Sequence, residues 1–291
     1  MQNFFYPYEQ MLLELKSLKR TFSDKIQIQE RAVTADGRSV WEVMVGDSKV
    51  DYHSLIHAGI HGREYLNCAV LMRLLKEYLE QGPFSDVCFH VLPMVNPDGC
   101  SISQSGHKGI RSPVLKEFLI QLQEDVDFSR WKANAVGVDL NRNFDSGWET
   151  YEGAKNPGLE KYKGPVPESE SETKAILKLC EEWPIGCCVA YHSTGSLIYW
   201  DYGSTGQLHK KDKHLAELLW KATGYPLCAV QEEKADRAGC SDYLMEALGI
   251  PSVTIETGRQ KTPLPRCEFA KIIGENRGIW DALASFLREE G

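Results

Sequence analysis

No two of the nine cysteines stand at Cys-x-x-Cys spacing, which excludes a paired-thiolate zinc site and a dithiol redox motif. Their odd number excludes complete pairing within the chain, and Cys68, Cys88, Cys187 and Cys228 lie in apolar surroundings where a free thiol behaves as a small hydrophobe. No apolar run approaches the length of a transmembrane helix. Residues Met1 to Glu9 lack the positive start and unbroken apolar stretch of an export signal, so a reduced, cytoplasmic setting without a membrane partner is expected. Positive charge is scarce: 33 Lys and Arg face 41 Asp and Glu, a formal charge of −8. Phosphate contact needs a basic surface, so no nucleic-acid partner is expected. The sequence carries no internal repeat, low-complexity tract or domain linker. What is there is the ordinary globular balance of 42% apolar and 25% charged residues, in 291 residues that suffice for a sizeable core. A single domain over residues 1–291 is expected.

Periodicity divides the chain into alternating elements. Met11, Leu12, Leu15 and Leu18 share one helical face and predict an opening helix over 8–20. Strand patterns at 26–29 and 40–45 flank the turn signal Asp36-Gly37 and predict an antiparallel hairpin. Further strands are expected at 52–58, 87–95, 185–192, 197–202 and 252–256. Helices are expected at 63–81, 115–122, 168–182, 213–223, 240–248 and 268–288. The apolar run Val87 to Val95, ended by Asn96-Pro97-Asp98-Gly99, reads as a central strand covered on both faces and flanked by parallel neighbours. Residues 144–167, rich in Gly, Pro, Tyr and charge, predict a long surface loop. Strands interleaved with helices imply an α/β fold: a three-layer α/β/α sandwich on a mixed, largely parallel sheet. In such sheets ligands gather beyond the carboxyl ends of the strands, where His61, Asn96, His192 and Glu256 all fall.

The stretch His57-Ala58-Gly59-Ile60-His61-Gly62-Arg63-Glu64 joins the strand at 52–58 to the helix that follows. Imidazole and carboxylate are both proper zinc ligands, and a tight turn lets residues three apart point the same way. His61 and Glu64 are therefore read as two ligands of one zinc ion, which in a catalytic site takes three protein ligands and leaves a fourth position open. Taken alone, His-x-x-Glu arises often by chance, and an exposed turn accounts for it more often than a metal does.

Company supplies the weight. His61-Gly62-Arg63-Glu64, then Asn96-Pro97-Asp98-Gly99, Gly137 to Phe144 (Gly-Val-Asp-Leu-Asn-Arg-Asn-Phe), Tyr191-His192-Ser193 and Ile255-Glu256-Thr257-Gly258 resemble the zinc metallocarboxypeptidases related to carboxypeptidase A, in family order over roughly residues 50–258. The resemblance implies a zinc peptidase with one Zn²⁺ per chain, held by His61, Glu64 and His192. It implies that Asp139 orients His61. Glu256 matches the family's catalytic carboxylate, which takes a proton from metal-activated water and passes it to the leaving amine. An acid ending the apolar run Val253-Thr254-Ile255 is costly to bury unless it is employed. Asn141 and Arg142 match the residues that grip the substrate's terminal carboxylate, a task suited to the planar guanidinium fork. Arg63 matches a contact to the upstream part of the substrate.

Two departures refine the resemblance. Digestive members have Trp-Arg where this chain has Trp131-Lys132, so Lys132 takes over as oxyanion stabiliser, a point charge in place of a fork. The stretch from Gln231 to Ala238 lacks the mobile tyrosine of those enzymes, and Ser241 falls near the specificity position, which gives no support for a large aromatic preference. Together these changes look more like the bacterial branch that cleaves γ-D-glutamyl-diaminopimelate bonds in cell-wall peptides. The extra amine and carboxylate of diaminopimelate match Asp236 and Arg237 in charge. The expected partner is thus a short peptide or muropeptide. Two alternatives stay open: a general carboxypeptidase removing C-terminal amino acids, and an inactive relative that only binds peptides.

Overall fold

The structure, a computed structural model, describes residues 4–122, 126–229 and 237–290. Eight strands form one sheet in the order β1-β2-β4-β3-β5-β8-β6-β7. They are β1 (Ile26–Val33), β2 (Ser39–Val45), β3 (His53–Ala58), β4 (Cys88–Leu92), β5 (Ile185–Ser193), β6 (Leu197–Asp201), β7 (Leu227–Ala229) and β8 (Ser252–Thr257). The four central strands, β4, β3, β5 and β8, run parallel. The hairpin β1-β2 joins one side antiparallel, and β6, with β7 parallel beside it, joins the other side antiparallel. The mixed, largely parallel sheet expected from the alternating pattern is thus present, with one correction. β4 has a parallel neighbour only in β3, because the N-terminal hairpin covers its other edge.

Helices cover both faces. On one side lie α1 (Tyr8–Thr21), α2 (Tyr65–Gln81), α6 (Gly206–Thr223), α8 (Arg266–Asn276) and α9 (Ile279–Glu290). Their core takes Ile56, Val91, Val189, Tyr191, Val253 and Ile255 from the strands. On the other side lie α5 (Ser171–Glu182) and α7 (Cys240–Glu246), packed on Leu55, Leu92 and Cys188. Neighbouring residues such as Leu55 and Ile56, or Cys188 and Val189, feed opposite cores, which is why these strands read as unbroken apolar runs.

Three local expectations change. Asn96 to Gly99 is no free turn: the Asn96 side chain caps α3 (Pro97–Ser105) by accepting from the Gly99 amide at 2.8 Å, with proline in the first turn. The helical spacing at 115–122 is present as α4 (Pro113–Gln121), so with α3 the span from 97 to 121 is largely helical. The closing helix divides into α8 and α9 at Arg277-Gly278, where glycine weakens the helical backbone. β7, three residues long, was too short for any pattern to reveal. No helix among the described residues is long and apolar enough to cross a membrane.

Candidate metal centre and active site

The sheet reverses its winding between β3 and β5: the chain leaves β3 toward β4 on one side and returns to β5 on the other. Such a switch point opens a crevice at the carboxyl ends of the strands. His61 follows β3 across it from His192, which lies one residue from the end of β5. His192 is paired in register with Glu256 on β8, which brings two residues 64 apart in sequence side by side.

The turn after β3 is locked from below. The Asn96 amide donates to the Ile60 and Ala133 carbonyls, both at 3.1 Å, and the Gly62 amide donates to the Lys132 carbonyl at 2.9 Å. A side chain at Gly62 would meet the Gly99 carbonyl carbon at 2.4 Å, so only glycine lets this turn sit against α3. Residues 62–64 form one tight 3-10 turn before α2, in place of the helix expected from 63, and that turn swings Glu64 back over His61.

His61 Nδ1 stands 2.9 Å from Glu64 Oε1, His192 Nδ1 stands 3.1 Å from Glu64 Oε2, and the two imidazole nitrogens are 3.2 Å apart. All three residues are buried. Two nitrogens held about 2.0–2.1 Å from a tetrahedral zinc lie roughly 3.3 Å apart, so this donor set fits the ion in chemistry and in spacing. On the far side of the His61 ring, Asp139 Oδ1 lies 3.4 Å from Nε2, while Asp139 Oδ2 accepts from the Lys161 amide at 3.0 Å. A carboxylate there favours the tautomer that leaves Nδ1 free to bind a metal.

Electrostatics follow from burial and these neighbours. Burial raises the Glu64 carboxyl, but His61 and His192 outweigh it and hold Glu64 well below the ordinary range. Burial likewise opposes ionisation of Asp139, and His61, Arg142 and Lys132 overcome it. Glu256 goes the other way: burial and the Glu64 carboxylate push it well above its usual value, against the pull of Lys132 and Arg63.

A cavity of about 560 Å³ opens on this cluster, lined among others by His61, His192, Glu256, Lys132, Asn141 and Arg142. Asn141 Oδ1 accepts from the Cys240 amide at 2.9 Å, which turns its NH₂ group away as the free donor. Arg142 Nη1 donates to the Asn141 carbonyl at 2.5 Å, and its guanidinium lies over the Tyr151 ring at 5.4 Å. The rest of the lining includes more polar groups. Ser241 and Tyr202 both contact the Thr254 hydroxyl, at 3.1 and 2.6 Å, and Asp242 adds a carboxylate.

Not every expected residue reaches the cavity wall. Arg63 stands outside the lining, its Nη1 3.9 Å from Glu160 Oε2, and Lys132 Nζ is equally distant from the same carboxylate. Arg237, expected to meet the substrate, pairs with Glu246 on α7 and lies against Gly147. Asp236 lies outside the described residues. Sequence reasoning missed Thr254, Tyr199, Tyr202 and Asp242. Thr254 was within reach, since residues two apart on a strand share a face and Glu256 had been singled out. Tyr199 depended on the pairing of β6 with β8, which no local pattern encodes.

Residues 11–278 match the sequence model of the zinc carboxypeptidase family. The chain belongs to that family. As a zinc carboxypeptidase relative it is a metallopeptidase, with the α/β fold of that group. It is 28% identical over 292 aligned positions to γ-D-glutamyl-L-diamino acid endopeptidase 1 of Lysinibacillus sphaericus, covering 94% of this chain and 71% of the relative. Mast cell carboxypeptidase A of Rattus norvegicus is 29% identical over 57% of this chain and 39% of its own length. Among solved structures, carboxypeptidase A from Helicoverpa armigera superposes with a TM-score of 0.77 at 19% identity, over 98% of this chain and 74% of that one. Murein-tripeptide amidase MpaA from Escherichia coli O157 gives 0.55 at 20% identity, over 90% and 91%. At those identities the two structures speak for the fold alone.

Proposed function

We propose that this family member hydrolyses the amide bond between γ-D-glutamate and a diamino acid in cell-wall peptides, with His61, Glu64 and His192 holding one zinc ion. The observation that carries the reading is the cavity's division of labour. Arg142 and Asn141 line it together with the hydroxyls of Ser241, Tyr202 and Thr254 and the Asp242 carboxylate, in place of an apolar slot. A diamino acid presents a carboxylate to Arg142 and Asn141 and a polar, amine-bearing side chain to the hydroxyls and Asp242. The likeness to a γ-D-glutamyl-L-diamino acid endopeptidase over nearly the whole chain supports the same substrate class.

Bound zinc supplies a Lewis acid that acidifies water and polarises the scissile carbonyl. The chain's own residues do the rest. Glu256, whose burial beside Glu64 raises its proton affinity, takes the proton of the attacking water and returns it to the departing amine. Lys132 faces the same cavity and sets its positive charge against the developing oxyanion. Arg142 and the free NH₂ of Asn141 bind the carboxylate beyond the cleaved bond.

The test is a substrate panel: zinc-loaded protein with γ-D-glutamyl-meso-diaminopimelate peptides beside blocked dipeptides ending in leucine, phenylalanine or arginine. The expected kcat/KM for the diaminopimelate peptide exceeds the others by roughly tenfold or more, the worth of one good discriminating contact. Equal cleavage of the ordinary dipeptides makes the protein a general carboxypeptidase. No turnover of any member makes it a peptide-binding relative.

A further inference from the structure

At the opposite end of the same sheet, some 17 Å away by the rise of a six-residue strand, lies a second cluster that the peptidase reading does not use. His53 opens β3 and is the register partner of Cys88, which opens β4; His90 follows two residues later on the same face. The three residues are at most 1% exposed, and one donor atom from each lies within 4.8 Å of the others. His53 Nδ1 is 2.8 Å from His90 Nε2, and Cys88 Sγ is 3.9 Å from the same nitrogen.

The outer nitrogens decide what the inner ones offer. His53 Nε2 is 2.7 Å from the Val50 carbonyl, which only accepts, so this nitrogen carries the proton. His90 Nδ1 is 2.5 Å from the Glu42 carboxylate and carries its proton for the same reason. Glu42 is in turn held by Gln29 and Arg31, at 2.7 and 2.6 Å. Each imidazole therefore donates its remote N–H to a carbonyl or a carboxylate and turns its lone-pair nitrogen inward, the arrangement of a metal-binding histidine with its outer support. Two lone pairs at 2.8 Å repel unless a positive charge lies between them. A proton satisfies two nitrogens; a metal ion satisfies those two and the buried sulfur as well. Trp183, stacked on His53 and tilted against His90 with both centroids at 5.3 Å, covers the cluster.

We propose that His53, Cys88 and His90 form a second, structural metal site that takes a thiophilic d¹⁰ cation, zinc above all, and cross-links β3 to β4 at the end of the sheet remote from the peptidase centre. Mixed imidazole and thiolate donors in a buried site suit such an ion and disfavour magnesium or calcium. Its arrival displaces the proton shared by the two imidazoles and the Cys88 thiol proton, so two protons leave as one divalent ion binds. With three donors and no fourth among the described residues, the ion would be three-coordinate, and the imidazoles must open by about three-quarters of an ångström to span a trigonal ion bound at about 2.0–2.1 Å.

Cobalt gives a test that separates the two sites, because His61, Glu64 and His192 include no sulfur. The full chain is loaded with Co²⁺, and metal content and the near-ultraviolet spectrum are recorded for wild type, Cys88→Ser and His61→Ala. The expected result is two equivalents in wild type with a thiolate-to-cobalt charge-transfer band, one equivalent without the band in Cys88→Ser, and one equivalent with the band in His61→Ala. A single equivalent and no band in wild type overturns the proposal whether or not either variant folds, and leaves the cluster as a proton-bridged pair. A band that persists in folded Cys88→Ser assigns the thiolate elsewhere and overturns it too.

Discussion

At Glu256 a carboxyl group lies buried beside the Glu64 carboxylate, with Lys132 and Arg63 opposing the rise in its proton affinity. Exchange for the neutral isostere removes the proton acceptor and little else. Glu256→Gln is expected to lose about 10²- to 10⁴-fold in kcat, the range for a positioned acid-base group, with bound zinc unchanged by elemental analysis. Retained turnover would remove Glu256 from the mechanism. Glu172, in the first turn of α5, is a purely structural counterpart. Burial pushes it up to about 7, with Asp98 and Glu170 adding to the rise. Its folded value exceeds its unfolded one of about 4.3, so stability present below pH ~4 is lost as pH climbs through 7. Glu172→Gln is therefore expected to gain stability over the parent by something on the order of 2–3 kcal/mol between pH 5 and pH 8. Urea unfolding at the two pH values measures it, and a constant difference refutes it.

Among the elements, α2 reaches furthest. Its buried Asn67 donates to the Ser193 hydroxyl at 3.0 Å and accepts from the Thr257 hydroxyl at 2.6 Å, tying the ends of β5 and β8 together just behind His192 and Glu256. Asn67→Ala removes one partner from each hydroxyl in a closed space and leaves them only their mutual contact at 3.2 Å and the Thr257 bond to the His192 carbonyl. The expected loss is roughly 1–3 kcal/mol in unfolding free energy, with weaker zinc retention on dialysis because His192 is no longer braced. An unchanged unfolding midpoint would show that the Ser193–Thr257 contact suffices without Asn67. This network was invisible in sequence, since Asn67 reads as an ordinary polar residue early in an amphipathic helix. By contrast β3, β5 and β8 were legible, because strands buried on both faces leave apolar runs that nothing else in this chain imitates.

For the whole molecule, the candidate metal centre joins the ends of β3 and β5 across the switch point of the sheet, so a ligand bound there would favour the folded chain over the unfolded one. Treatment with a chelator is expected to abolish hydrolysis and lower the thermal midpoint, both restored by stoichiometric zinc. Calorimetry with and without chelator checks the second effect, and an identical midpoint would mean that the zinc site adds nothing to stability. The polar lining of the cavity is likewise a property of the whole: Tyr202 follows β6, Thr254 lies on β8 and Ser241 on α7.

The sequence alone determined what short range can encode. The spacing of His61 and Glu64, the apolar strands with chemistry at their carboxyl ends, and the Asn141-Arg142 pair in its setting are all carried by residues adjacent in the chain. Tertiary structure alone decided which distant residues meet. Strand register sets His192 beside Glu256, the antiparallel run of β6 brings Tyr199 against Thr254, and the fold sets Arg237 beside Glu246. The physical reason is one of range. Helix and strand periodicity reports which way a side chain points, whereas contact between strands depends on pairing energies summed over the whole sheet, which no stretch of chain holds by itself.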